Sequence, residues 1–316
     1  MKKVTQPFIS ALIPAFNEAD NLKKLIPLLS IQLCKISEKY EILVVDDGSS
    51  DNTFESVLEL IKDYPLRIIQ LSRNFGKENA ITAGLKHIKA DLVVLLDADF
   101  QHPLHLIPEF FAFWEQGYDM VYAISTGRNH NFFRRICGKW FYNLLYSSSC
   151  VKIEPNAGDF RLIDRKVIDS ICSLSERNRF MKGIYSWVGY NNIGIPVDMA
   201  QRSTGVSKFN LRKLISLALI GITSFSALPL RIWGIIGAFI SLSSITYGIY
   251  VALKTLIYGI ETPGWATLVV SITLLSGIQL LSIGVLGEYI ARIFTEVKGR
   301  PSYLIKNIHS YDKPDS

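Results

Sequence analysis

"DLVVLLDADFQHP" (residues 91–103) sets five consecutive apolar residues ahead of two carboxylates spaced two apart, Asp97 and Asp99. A short apolar run rich in Val and Leu reads as a strand buried on both faces. Two anions placed so closely at its end are costly unless a cation or strong donors neutralise them. The pair is therefore either a turn carrying solvated acids or a metal site. Residues i and i+2 of an extended segment project to the same side, so Asp97 and Asp99 can hold one hard cation while Ala98 points away. Mg²⁺ and Mn²⁺ prefer carboxylate oxygen and commonly bridge to substrate phosphates. A lone DxD favours the solvated turn, and the rest of the chain has to decide.

Outward from this stretch the first half alternates strand and helix signals. "FISALIP" (8–14), "EILVVDD" (41–47) and "LRIIQLS" (66–72) match the run at 91–97. Between them, helical patterns span 19–36, with Pro27 placed to kink the first helix, then 53–63 and 76–89. This spacing predicts a mostly parallel α/β sheet covered on both faces. Asp46, Asp47, Asp97 and Asp99 then fall at the C-terminal ends of strands, where open α/β sheets bind ligands. "PAFNEADN" (14–21) and "VVDDGSSDNT" (44–53) add acids among turn and cap residues. Ordinary capping accounts for Asn17 and for Asp51 or Asn52, but not for Glu18 or the Asp46–Asp47 pair. No GxGxxG follows the first strand and no GxxxxGK[ST] occurs, which removes the main support for dinucleotide and P-loop readings.

Hydrophobic residues make up 49% of the 316, and the mean hydropathy of +0.23 is high for a soluble protein. The excess lies toward the C-terminus. Ile232–Leu253 (22 residues) and Trp265–Gly287 (23 residues) carry no charge. As helices each spans roughly 33 Å, enough for a hydrocarbon core of about 30 Å. Lys208, Arg212, Lys213 and Arg231 precede the first, and Arg292, Lys298, Arg300 and Lys306 follow the second, which places both termini in the cytoplasm. The uncharged segment 214–230, closed by Pro229, is expected to lie as an interfacial helix beneath the bilayer. The N-terminus is basic and then apolar, but Pro14 cuts the run short, so it reads as a first strand and not a signal peptide. Cys34, Cys137, Cys150 and Cys172 show no CxxC pairing and read as free thiols of a reducing compartment. The net charge of +6 permits an anionic partner.

"PAFNE", "VVDDGSSD", "SRNFGKENA", "DADFQHP", "GDFRLIDRK" and "QRSTGVSKF", in this order, resemble the polyprenyl-phosphate glycosyltransferases of glycosyltransferase family 2. Within these the likeness is greatest to the bactoprenol glucosyltransferases of O-antigen modification, and "RFMKGIYSWVGY" and "GVLGEYIARIFTEVKGRPSY" strengthen it. The resemblance implies a GT-A fold, a Rossmann-like mixed sheet flanked by helices, followed by the interfacial helix and a two-helix transmembrane hairpin. The expected divisions are a catalytic domain over 1–206, a juxtamembrane segment over 207–230, the hairpin over 231–290 and a cytosolic tail over 291–316.

The resemblance also implies an inverting transfer of a sugar, glucose from UDP-glucose, to undecaprenyl phosphate, in the bacterial plasma membrane. A mannose- or aminoarabinose-type transferase is the alternative. Asp97, Asp99 and Gln101 are the implied ligands of Mg²⁺ or Mn²⁺, and Gln101 is a better oxygen donor than His102 or His105 is a ligand. Pro14, Phe16, Glu18, Val45, Asp47, Asp97 and Ala98 match the positions that hold the nucleotide sugar. Arg128, Arg134, Arg135, Arg202 and Lys208 match phosphate-binding positions; for Arg202 and Lys208 a basic surface facing lipid headgroups is equally open. Asp99 and Asp159 are the catalytic candidates. Asp159 is either a base or acceptor-positioning group, or a strand-end acid paired with Arg161. The implied partners are the nucleotide sugar, the polyprenyl phosphate, the bilayer, a second copy of the chain, a flippase and a downstream glycosyltransferase, with no nucleic acid. A processive synthase would carry QxxRW and more spans, and a non-catalytic tethered protein would not need the DxD acids.

Overall fold

A computed structural model describes residues 6–100, 102–125, 154, 157–177, 179–197, 228–258 and 264–311. Among these, eight strands form one sheet: β1 (Ile9–Ala15), β2 (Tyr40–Asp46), β3 (Leu66–Leu71), β4 (Leu92–Leu95), β5 (Met120–Ser125), β6 (Ala157–Asp164), β7 (Asn192–Val197) and β8 (Ile305–Ser310). Their order is β7-β5-β6-β4-β1-β2-β3-β8. β1, β2, β3 and β4 pair in parallel, as does β5 with β7, whereas β6 runs antiparallel to β4 and β5, and β8 antiparallel to β3. The four strands read from the alternation of the first half are parallel, as it predicts, and β6 and β8 make the sheet as a whole mixed. That alternation ends at β5, after which strands return beside existing ones.

The helices of this part are α1 (Ala19–Cys34), α2 (Thr53–Leu60), α3 (Lys77–His87), α4 (Ile107–Glu115), α5 (Arg165–Ser173) and α6 (Met181–Trp187). Successive strand residues face opposite layers. Ala11, Ile13, Val44 and Val94 pack with Leu22, Ile26, Leu29, Val57 and Phe110 on one side. Leu12, Leu43, Val45, Val93 and Leu95 pack with Ala80, Ile81, Val167, Ile168 and Ile184 on the other. Burial on both faces is why the central strands read as continuous apolar runs. α1 passes through Pro27 as one assigned helix.

The chain moves outward from β1 to β2 and β3, then returns to β4 on the other side of β1. β1 and β4 therefore flank the topological switch point, and a crevice opens beyond their carboxyl ends. Asp97 and Asp99 lie just past β4, at this crevice.

Two long helices follow, α7 (Leu228–Tyr258, 31 residues) and α8 (Trp265–Val297, 33 residues). Both outrun the uncharged stretches inside them. Pro229 falls within α7, one residue after its first described position. Of the segment expected as an interfacial helix (214–230), residues 228–230 belong to α7 and the rest lies outside the described residues. Among the described residues one stretch, Leu274–Val297 in α8, is long and apolar enough to cross a membrane.

The chain then returns to the sheet. Arg177, between α5 and α6, donates to the Arg300 carbonyl at 2.9 Å, and its backbone N–H donates to Glu296 at 3.0 Å. Ser72 N donates to the Leu304 carbonyl at 2.9 Å, and β8 completes the edge beside β3. Part of the segment expected as a separate tail (291–316) is thus an edge strand of this sheet.

Candidate active site

Four segments build the crevice: the loops after β1, β2 and β3 and the DxD stretch after β4. In the β1–α1 loop, Asn17 adopts φ +56, a left-handed conformation that asparagine tolerates. Its Oδ1 accepts the Ser50 N–H at 2.9 Å, and its own N–H donates to Ser49 Oγ at 2.9 Å. Asn17 therefore does not cap α1, as the sequence reading expects; it ties the β1–α1 loop to the β2–α2 loop. Asp51, one residue ahead of the Asn52 cap position of α2, accepts from Thr53 N at 3.0 Å.

The β2–α2 loop carries the acid pair. Asp46 Oδ1 accepts from Ser49 N at 2.9 Å. Asp47 accepts the Phe75 N–H at 2.7 Å and the Gly76 N–H at 2.8 Å. These two bonds fasten the β3–α3 loop and deliver Lys77, the first residue of α3. Burial pushes the Asp47 carboxyl up, although both backbone donors oppose the shift. Gly48 (φ +67) lies where any Cβ would collide with the Arg73 backbone, so only glycine lets the two loops meet.

Lys77 occupies the centre. Its Nζ lies 2.6 Å from Asp97 Oδ1 and 2.5 Å from Asp159 Oδ2. A cation at a helix N-terminus opposes the macrodipole, so carboxylates must hold this one there. Burial favours the neutral amine, but Asp159 and Asp97 outweigh it and raise the Lys77 ammonium above its ordinary range. Burial alone would raise Asp97 and Asp159 too. Lys77 holds Asp159 below its usual range, and His102 together with Lys77 holds Asp97 there. Of those two, Lys77 is the nearer group, since His102 Nε2 stands 3.6 Å from Asp97 Oδ2.

Asp159 sits on β6 and pairs with Lys77, whereas pairing with Arg161 is one of the two alternatives its sequence context leaves open. The Arg161 guanidinium lies 3.7 Å from the Tyr185 ring centroid and donates to the Gly158 carbonyl at 2.6 Å. Next to Lys77, Glu78 accepts from Met181 N at 3.3 Å, and burial plus the Asp159 charge push its carboxyl up to about 7.

Asp97, Asp99 and His102 bring one ligand atom each to within 4.8 Å of one another. Phe100, at φ +58, turns the chain so that His102 comes back toward Asp97. The imidazole is buried, stacks on Phe160 at 5.0 Å, and neither ring nitrogen has a hydrogen-bond partner. The two carboxylates suit Mg²⁺ or Mn²⁺, and an imidazole beside them, if it joins the set, suits Mn²⁺ better than Mg²⁺. The structure thus gives His102 a place that the sequence reading withholds from it.

A cleft of about 340 Å³ opens here, lined by Pro14, Phe16, Glu18, Asp47, Asp97, Ala98 and Asp99, with Asn74, Gly76 and Lys77. Seven sequence-derived positions meet here. Val45 does not: it is fully buried in the core and does not line the cleft. Gln101, Arg128, Arg134, Arg135, Arg202 and Lys208 lie outside the described residues. Lys77 and Glu78 are absent from the sequence-derived set. The signal for Lys77 was present, a lysine placed directly after a glycine at a helix start.

Residues 10–172 match the family model for glycosyl transferase family 2, just over half of the chain. The chain is a family 2 glycosyltransferase. It is 44% identical over 307 residues to the bactoprenol glucosyl transferase of Shigella phage SfII, across 95% of this chain and 98% of that one. It is 43% identical over 302 residues to an uncharacterised glycosyltransferase of Synechocystis sp., across 95% of both. Among solved structures, the mannosyltransferase PcManGT of Pyrobaculum calidifontis, in complex with GDP-Man and Mn²⁺, matches 94% of this chain and 89% of its own. Its TM-score is 0.49 and its identity 16%. The matched residues 10–172 take in the mixed α/β sheet from β1 to β6, and with it the switch-point crevice and its DxD acids.

Proposed function

We propose that this glycosyltransferase moves glucose from UDP-glucose to undecaprenyl phosphate at the cytoplasmic face of the bacterial plasma membrane, with inversion at the anomeric carbon. One observation carries the reading. The likeness to a bactoprenol glucosyl transferase spans 307 residues, so it includes the region of the long helices as well as the DxD crevice.

Phe16 and Pro14 give the cleft an apolar wall at the end of β1 on which a nucleobase can rest, and Phe16 is 43% exposed. Asp47 and Glu18 supply acceptors beside it. Asp97, Asp99 and either His102 or Gln101 would hold the divalent cation, which when bound offsets charge on the leaving nucleoside diphosphate. A lipid phosphate, with a second pKa near 6, is largely dianionic at neutral pH and needs little general-base help to attack. Asp159 therefore serves better as a positioning group, held in place by Lys77, than as an essential base. Arg128, Arg134 and Arg135 are assigned to the lipid phosphate, and Arg202 and Lys208 to the donor phosphates.

α7 and α8 are read as a membrane hairpin. Ile235, Phe239, Leu242, Leu256, Leu268 and Leu280 are all exposed, as lipid-facing side chains would be. At 33 residues α8 is about 50 Å long, so its last turns project past a core of about 30 Å toward Arg177. The deciding experiment feeds UDP-[¹⁴C]glucose and other labelled nucleotide sugars to membranes carrying the protein and extracts lipid. A glucosyl-phosphate lipid that is lost in EDTA and restored by Mg²⁺ or Mn²⁺ is expected. A labelled lipid formed only from another nucleotide sugar, or full activity without metal, would refute the assignment.

A further inference from the structure

The Lys77 bridge has a consequence for how the site is charged. This inference rests on the donor reading above, because it concerns the cation that accompanies the donor. Asp97 offers one oxygen, Oδ1, to Lys77 at 2.6 Å, and the other faces His102 at 3.6 Å. Any cation at the Asp97–Asp99–His102 cluster therefore shares the Asp97 carboxylate with an ammonium already bound to its far side. Asp159, at 2.5 Å, holds that ammonium in place. The Asp47 bonds to Phe75 and Gly76 fix the backbone just before it. Lys77 also lines the cleft, with 42% of its side chain exposed, so it faces the space the donor would enter.

We propose that Lys77 makes divalent-cation binding conditional on the donor's diphosphate. In the empty cleft the ammonium neutralises part of Asp97 and repels a second cation. When a diphosphate enters, its negative charge lies between the two cations, and the repulsion becomes shared attraction to the phosphate oxygens. Cation and nucleotide then bind as a pair, and the cluster gains little from a free ion. The effect is large enough to measure. Even at the dielectric constant of water, a unit charge about 6 Å from a divalent ion changes its affinity about tenfold.

Mn²⁺ binding to the full-length protein in detergent at low salt, read by electron paramagnetic resonance with and without UDP, tests this without any turnover. In the wild type Mn²⁺ alone should bind weakly, and UDP should tighten it at least tenfold. Lys77→Met should tighten Mn²⁺ alone by about tenfold and shrink the UDP enhancement. Lys77→Arg, which keeps the charge, should retain most of that enhancement and so separates charge from packing. Unchanged Mn²⁺ affinity in Lys77→Met, or an Arg variant that behaves like Met, overturns the inference while leaving the donor reading intact. Failure of every form to bind Mn²⁺ even with UDP overturns the metal reading and this inference together.

Discussion

The Glu78 carboxyl gives the folded protein a pH dependence that can be worked out in advance. Burial and the Asp159 charge raise it from 4.5 to about 7. Between those values the folded state holds a proton that the unfolded state releases. Stability then falls as pH rises, because its slope follows the protons bound unfolded minus those bound folded. The contribution is complete below pH 4.5 and is lost as pH passes through 7. A shift of that size corresponds to about 3 kcal/mol at 1.36 kcal/mol per unit. For a domain of this size that is about 6–12 °C in melting temperature. Glu78→Gln is the clean perturbation, since its amide oxygen can still accept from Met181 N while the ionisation is gone. Melting temperatures of both proteins, followed by intrinsic fluorescence in detergent from pH 5 to 8, give a difference in which other groups largely cancel. The variant should match or trail the wild type near pH 5 and exceed it at pH 8. Parallel curves across that range would refute the argument.

Asp47→Asn should lower stability by about 2–3 kcal/mol, because a buried carboxylate with two backbone donors is replaced by an amide that turns an N–H toward one of them. Thermal unfolding measures that loss, and proteolysis should cut first in the loosened 72–77 loop. For the hairpin, a cysteine placed in the 258–264 loop of a background free of native cysteines should react with an impermeant thiol reagent from outside the cell, and one placed at residue 312 should not. The reverse pattern would overturn the proposed topology.

Much of the crevice was legible because its chemistry is local. The strands at 8–14, 41–47, 66–72 and 91–97 announce themselves through burial on both faces, and the acids follow at their ends. What stayed hidden depends on pairings distant in sequence. Lys77 meets Asp159 across 82 positions, and no periodicity reports such a contact. β8, "IKNIHS", exposes nearly every side chain as an edge strand, so it lacks the apolar alternation that betrays a strand. α8 continues through Glu288, Arg292 and Glu296, well past the uncharged stretch from which its length was read. Val45, next to the acid pair near the end of its strand, is fully buried in the core, which its place in the apolar run also allows.

β8 also dictates an order of events during synthesis. Asn307 pairs with Gln70 across 237 positions, so the β3 edge must wait for its neighbour while everything between is made. At roughly 5–20 residues per second that wait is on the order of tens of seconds. Throughout it, the nascent sheet presents a row of unpaired N–H and C=O groups, the template on which stray strands add. Both long helices leave the ribosome before Ile305 does. The catalytic sheet is therefore finished only after α7 and α8 have been translated, and a ribosome that stalls within α8 leaves behind a domain with an open edge.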